Sequence, residues 1–313
     1  MILIISHPDD IHATEVMRHL GDMGQEAKML DLAEFPMNLS LSISYDHKAM
    51  PSATVRNKTD LFVDLAKVKS TWWRRPQAYS LPQMKDNEAF TFTYNEWDEA
   101  ISGLWQLVPG IWINEPNRDI RASRKAFQLG EATAVGLRIP RTLITSDPIQ
   151  ARRFIGELGV ERTVYKSFSA TEHTWRETRV LRKNELDLLD HLRLAPVIFQ
   201  EYIPAEVDLR ITVVGSQIFA AAIHSQEGDY KADFRMDMGR SRITPAVLPR
   251  EIERLLLALM ERLGLVYGAI DVRRTPDGEY VFLEVNTAGQ WLFIEEKTKQ
   301  PIARTLAETL ARV

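Results

Sequence analysis

The chain of 313 residues contains no cysteine. That excludes disulfide staples, zinc–thiolate sites and a thiol nucleophile. No apolar run approaches the roughly 18 residues of a membrane-spanning helix, and the first residues lack the basic segment and long apolar stretch of a secretion signal. Positive charge is not in surplus either. Against 43 Asp and Glu stand 39 Lys and Arg, a formal net charge of −4, which argues against nucleic-acid binding because neutralising phosphates needs a basic excess. The expectation is a soluble cytoplasmic protein that spans no membrane. Its composition is ordinary, 45% hydrophobic and 26% charged, and its length allows two or three subdomains.

The N-terminal part reads as a small open parallel α/β sheet. Strand "ILII" (2–5) leads through "SHPDD" into an amphipathic helix reaching about Leu20. Strands "EAKMLD" (26–31), "KSTWWRRP" (69–76) and "GIWIN" (110–114) follow, with a helix at "NEWDEAISGLWQL" (95–107) whose apolar positions keep helical spacing. A boundary is expected near Pro116. A helix from about Arg118 to Val135 precedes strand "RTLIT" (141–145), and Asp147-Pro148 cap and open the next helix. A hairpin ("RTVYKSF", "TWRETRVL") and helix "NELDLLDHL" complete a central unit, 117–195. From Pro196 strands dominate, with one helix at 248–263.

The last hairpin, "AIDVRRTPDGEYVFLEVNTAGQW" (269–291), raises a question about its acids. With Asp277-Gly278 as a two-residue type I′ loop, Pro276 faces Glu279 and Asp271 falls opposite Glu284. Like charges so placed are destabilising. Asn286 lies one step along the same face. Two carboxylates and an amide oxygen make a hard-oxygen set that suits Mg²⁺ bridging to phosphates. Other polar residues also interrupt strand-like runs. Lys166 lies in "TVYKSF", a poor place for an ammonium without an anion or an exposed edge. Asp208 and Arg210 share one face of "VDLRITVVG", and alone could be a structural ion pair. "FQEYI" (199–203) could offer backbone groups to a planar base.

In this order the pieces resemble the ATP-grasp superfamily. The resemblance implies an α/β (α+β) architecture: a Rossmann-like pre-ATP-grasp unit (1–116), a central lid (117–195) and a C-terminal antiparallel sheet (196–313) carrying the metal site. It implies that Lys125 and Lys166 contact ATP phosphates, that Gln200, Glu201, Tyr202 and Ile203 form the adenine hinge, and that Asp208 binds ribose. "DFRMDMGRS" (233–241) is similar to the "DFRxNxHRG" segment of RimK-type ligases, which makes Arg235 and Arg240 anion contacts. Asp271, Glu284 and Asn286 match the magnesium triad. "STWWRRP" (70–76) and "EVNTAGQWLFIEEKTKQPIA" (284–303) further resemble the maturases of ribosomal peptides, the graspetide or microviridin-type ligases. That resemblance implies ATP and Mg²⁺ as cofactors, a precursor peptide with leader and core as partner, and a homodimer. An Asp or Glu side chain of the peptide would be phosphorylated, then attacked by a Thr/Ser hydroxyl or a Lys amine to close a macrocycle. Arg210 and Arg235 become the catalytic cations. Arg210 with Arg74 or Arg75 would meet the core carboxylate; Trp175, Arg176, Arg179 and Arg182 would dock the leader. One departure is plain: "SFSATEHTW" after Lys166 has no glycine where amino-acid-ligating relatives carry a Gly-rich loop, so Ser167, Ser169 and Ala170 would have to serve. Asp237 also replaces the usual amide.

Two other readings stand beside this one. A ligase of free amino acids or small peptides would share the ATP and metal residues. "HPDD" (7–10) resembles the zinc site of PIG-L-type deacetylases, but the acid that follows there is Ile11 here, and the other histidines are scattered without metal spacing.

Overall fold

The computed structural model describes residues 1–47, 49–168, 178–227 and 241–312. Among them the strands form four sheets.

The first sheet is parallel, in the order β2-β1-β6-β7, from β1 (Ile2–Ile5), β2 (Ala27–Leu30), β6 (Ser70–Trp73) and β7 (Ile111–Ile113). Its central strand is wholly apolar and buried, as expected of a sheet covered on both faces. Helix α1 (Ile11–Asp22) starts where the Asp10 carboxylate accepts from His12 N at 3.1 Å. Sequence reading passed over residues 32–68. They hold an antiparallel sheet of β3 (Ser40–Asp46), β4 (Ala49–Arg56) and β5 (Leu61–Asp64). Helix α2 (Asn87–Trp105) also begins eight residues earlier than its apolar spacing suggested, because Asp86 caps it.

The single helix expected from Arg118 to Val135 is two. α3 (Pro116–Ala122) and α4 (Lys125–Ala134) are separated by Ser123 and Arg124, and Arg124 is extended (φ −74°, ψ 112°). The break makes Lys125 the first residue of a new helix. Next come β8 (Thr142–Thr145), α5 (Pro148–Leu158), β9 (Thr163–Lys166), β10 (Arg179–Val180), a run of 3-10 turns (Lys183–Leu194) and β11 (Val197–Glu201). Asp147 caps α5 with Pro148 in its first turn, as read from the sequence. The second sheet, β10-β9-β11-β8, is antiparallel. β11 pairs with both β8 and β9, so the boundary expected at 195/196 falls inside this unit. An apolar run does not disclose which sheet it joins.

The third sheet, β14-β13-β12-β15-β16, is antiparallel and comprises β12 (Val207–Val214), β13 (Gln217–Ile223), β14 (Ile243–Pro245), β15 (Tyr267–Arg274) and β16 (Tyr280–Asn286). Leu209, Ile211 and Ile270 on one face bury against Leu256, Leu259 and Leu263 of α6 (Arg250–Leu263). The other face carries the site. Helices α7 (Leu292–Thr298) and α8 (Ile302–Ala311) join this sheet to the first: Ile302, Leu306 and Leu310 share one core with Ile2, Ile4, Trp72, Val214 and Trp291. Trp72 and Trp291 are therefore core residues, while half-buried Trp73 packs edge-on to Trp105 at 5.6 Å.

Candidate active site

The last hairpin places its acids as expected, by another route. Its loop has three residues, Pro276 to Gly278, closed by Thr275 N to Glu279 O (2.9 Å) and Gly278 N to Thr275 O (2.9 Å). Gly278 takes the left-handed conformation (φ +86°) that such a loop requires. The register next to the loop is thus one residue off the two-residue expectation, pairing Arg274 with Tyr280 and Val272 with Phe282. A bulge at Leu283 then restores Asp271 opposite Glu284. The bulge also turns Phe282 and Val285 into the same core, leaving Glu284 and Asn286 on the opposite side.

The three metal candidates meet. Asn286 Nδ2 lies 3.5 Å from Asp271 Oδ2 and 3.3 Å from Glu284 Oε1. Each acid also holds a cation: Lys125 Nζ bonds Glu284, and Arg210 Nη1 donates to Asp271 Oδ1 at 2.8 Å. Burial works against the Arg210 charge, but Asp271 more than offsets it and the guanidinium pKa ends raised. Gln128, one turn beyond Lys125, fixes β16 from outside. Its amide donates to Val285 O (2.8 Å) and accepts from Val285 N (3.1 Å), as a neighbouring strand would. Spacing from Lys125 could have exposed this residue, but a glutamine in a helix carries no strong signal.

Two residues beyond the reach of sequence reading shape the start of β15 and the loop after β16. Asn114 Nδ2 donates to Tyr267 O (2.9 Å), and its Oδ1 accepts from Val266 N and Tyr267 N. The polar end of "GIWIN" was its only signal. Gly289 has no room for a side chain: a Cβ there would come within 2.4 Å of Ala269 Cβ and 2.8 Å of Arg210 Nη2. That close approach lets Arg210 Nη2 donate to Gln290 O at 3.0 Å. A cleft of about 420 Å³ opens here, lined by Arg75, Lys125, Arg210, Asn286, Gln290 and Phe293 among others.

Of the paired arginines, Arg75 lines the cleft. Arg74 does not fit the expected substrate contact, being 1% exposed and bonded to Asp10 Oδ2 through Nε at 3.0 Å. Asp10 also accepts from Ser6 Oγ at 2.8 Å. Of "HPDD" only Asp10 is buried, with Pro8 and Asp9 exposed, and it serves as the anchor of Arg74. His12, pushed down to about 3 by burial and by the Arg74 charge, is a neutral ring set edge-on to Trp291 at 4.9 Å.

Asp208 departs from the ribose expectation. It is 2% exposed and held by Arg273 Nε (2.8 Å) and by the Ser225 hydroxyl. Arg273 also donates to Ile203 O at 2.8 Å and stacks over Tyr202 at 5.8 Å. Lys166 donates to Gln200 Oε1 at 2.8 Å, and Gln200 passes the chain on to Thr142 Oγ1 at 2.9 Å. Glu201 is half-buried beside Arg162 at 3.5 Å. Lys166, Gln200 and Thr142 form their own row on one face of the second sheet, apart from the cleft-lining set. Arg179 pairs with Glu185, and Arg182 is exposed. Arg235, Arg240, Asp237, Trp175, Arg176, Ser169 and Ala170 lie outside the described residues.

Hard oxygens flanked by bound cations fit a phosphate-bridging divalent ion. Among the described residues no cluster of three or more His, Asp or Glu offers a rival metal site, which leaves the deacetylase reading without ligands there. Residues 124–310 match the family model for the RimK-like ATP-grasp domain. The chain belongs to the RimK-like ATP-grasp family. Residues 1–120 match the MvdD pre-ATP-grasp domain. Such a ligase has an ATP-dependent reaction to perform. Among solved structures, the chain is similar to the macrocyclase MdnC of Microcystis aeruginosa bound with precursor peptide MdnA, at 31% identity and TM-score 0.89 over 100% of this chain and 99% of that one. It is also similar to a RiPP-associated ATP-grasp ligase of Chryseobacterium gregarium in complex with ADP and a leader and core peptide: 27% identity, TM-score 0.88, 99% and 96% covered. A tetrahydromethanopterin:alpha-L-glutamate ligase of Methanocaldococcus jannaschii is 25% identical over 63% of this chain and 69% of its own length. No helix among the described residues is long and apolar enough to cross a membrane.

Proposed function

We propose that this ligase phosphorylates Asp or Glu side chains of a ribosomal precursor peptide and joins them to Thr/Ser hydroxyls or Lys amines, closing macrocycles. The observation that carries this reading is the cationic cleft between Arg75 of the N-terminal unit, Lys125 and Arg210, beside the Asp271–Glu284–Asn286 triad. Whole-length similarity to two peptide-bound relatives supports a peptide substrate over a free amino acid, since the glutamate ligase matches only 63% of the chain.

The chemistry is an exchange of leaving groups. A carboxylate resists attack because oxide leaves poorly. Its oxygen first attacks the γ-phosphorus of ATP and ADP departs; the hydroxyl or amine then attacks the acyl carbon and phosphate departs. Two anions do not approach unaided, so Arg75 receives the core carboxylate and Lys125, with Arg235, neutralises the transferring group. Asp271, Glu284 and the Asn286 carbonyl oxygen would hold magnesium, which supplies charge neutralisation across the phosphates. Arg210 meets the tetrahedral oxyanion. Lys166, Gln200 to Ile203 and Arg240 contact the nucleotide; Asp208 is left to the scaffold. Leader docking falls to the outer side of the lid, where Tyr165, Arg179, Leu181, Leu188, Leu192 and Phe199 line a groove of about 330 Å³.

Mass spectrometry of a precursor peptide encoded beside this protein, incubated with ATP and Mg²⁺, tests the reading. One water should be lost per ring. Arg210→Lys should retain ATP and leader binding yet lose ring closure by about a hundredfold, because lysine cannot reproduce the guanidinium fork. Near-normal water loss in that variant would sink the assignment.

A further inference from the structure

Arg74 has its charge buried but spans two units. One end is anchored in the N-terminal unit, Nε to Asp10 Oδ2 at 3.0 Å. Asp10 is itself fixed by Ser6 Oγ (2.8 Å) and His12 N (3.1 Å), and the Arg74 charge together with these contacts holds its carboxyl below the usual range despite burial. The other end, Nη1, donates to the carbonyls of Ala288 (2.6 Å) and Gly289 (3.0 Å), more than two hundred positions along the chain. Gly289 O accepts a second bond, from Tyr267 Oη at 2.7 Å; burial raises that phenol to about 12, so it remains a donor. The next carbonyl, of Gln290, is the one that Arg210 grips at 3.0 Å. The backbone runs close beside Arg210 here, since a Cβ on Gly289 would fall 2.8 Å from Arg210 Nη2 and 2.4 Å from Ala269 Cβ.

We infer that Arg74 is a positioning residue: by holding the carbonyls of Ala288 and Gly289 it sets Gln290 O, and through it the guanidinium of Arg210. Docking of the N-terminal unit is then what aligns the arginine. This rests on reading Arg210 as the oxyanion contact. A mere brace between units would have bonded the scaffold anywhere along the interface. Arg74 instead bonds consecutive peptide groups, the last of which is covalently joined to the carbonyl that orients Arg210. A planar fork fixes both distance and direction, whereas an ammonium supplies charge alone.

The test is Arg74→Lys, which keeps a cation beside Asp10 and loses the fork. The Arg210 Nε–H resonance, assigned by its disappearance in Arg210→Lys, should move or broaden in Arg74→Lys. With the precursor peptide, kcat should fall about ten- to a hundredfold while KM for ATP and for peptide stays within about twofold, the pattern of a displaced catalytic group. Adding Arg210→Lys to Arg74→Lys should cost little more than Arg210→Lys alone, since both act on one guanidinium. If Arg74→Lys does not fold, Asp10→Asn loosens the same anchor and should shift the resonance and kcat in the same direction. An unmoved Arg210 resonance, or losses that add in the double variant, overturns the inference. The resonance decides it even if the wild type does not turn over the peptide, a result that would instead defeat the proposed substrate.

Discussion

Strands β12 and β15 carry two ion pairs that look interchangeable. Asp208 lies opposite Arg273, and two residues on Arg210 lies opposite Asp271, on the same face with the signs reversed. All four side chains are nearly excluded from solvent. Yet the first pair is closed: Asp208 takes a guanidinium and a hydroxyl, and Arg273 spends a further donor on Ile203 O. The second stays open. Arg210 Nε is buried with no hydrogen-bond partner, and Asp271 Oδ2 meets the amide of Asn286, another metal candidate. A buried donor without a partner costs about 1–3 kcal/mol. The Asp208–Arg273 pair avoids that penalty, whereas the Arg210–Asp271 pair carries it at Arg210 Nε. Burial and charge do not separate structure from function here, but completeness of bonding does.

The sharpest break in the comparison lies in the open set. Glu284→Ala and Asn286→Ala each remove a hard oxygen and should lower ADP release by about a thousandfold while the folded state persists, read by coupled assay alongside circular dichroism. Near-normal turnover in both would dissolve the distinction. Next in size is the closed pair. Asp208→Ala strands the buried Arg273 charge and should cost about 3 kcal/mol in urea unfolding, with turnover of the folded fraction changed less than about threefold, which the same assay reads. A stable but inactive variant would return Asp208 to the nucleotide site. Smallest is a third pair, half-exposed on the lid. Arg179→Ala breaks the bond to Glu185 and should change stability by less than about 1 kcal/mol, while weakening leader-peptide binding by titration several-fold. Unchanged affinity would move the docking surface elsewhere.

How much of this was legible depends on range. Caps such as Asp147 and Asp10 are local, and Asp147 was read correctly. The Asp271–Glu284 pairing was also right, although two errors of one residue cancelled: a three-residue loop where two were expected, and a bulge at Leu283 that alternation cannot reveal. Asp208 and Arg210 were seen as neighbours along a strand, whereas each has its partner on the next strand. Alternation separated Arg74 from Arg75 without telling which side was inward. Asn114 and Gln128 act by gripping backbone far along the chain, and Gly289 by leaving space beside the Ala269 and Arg210 side chains; neither a distant carbonyl nor a tight space leaves a mark in a sequence. The β3–β5 sheet was legible in part, since "SLSIS" alternates exposed serines with half-buried Leu41 and Ile43 as a half-buried strand does, but that signal was passed over.

Helix α8 covers the inner face of a sheet whose first strand begins at Ile2, and Ser70 Oγ donates to Leu310 O across 240 positions. The consequence concerns synthesis. While the ribosome is still making the middle of the chain, Ile2, Ile4 and Trp72 have Ala13, Val16 and Leu20 of α1 beside them, and this core is incomplete. Full closure of this face waits for residues 302–311, while the opposite face packs on Leu30, Phe35 and Leu104 of its own unit; long-range closure of this kind slows folding.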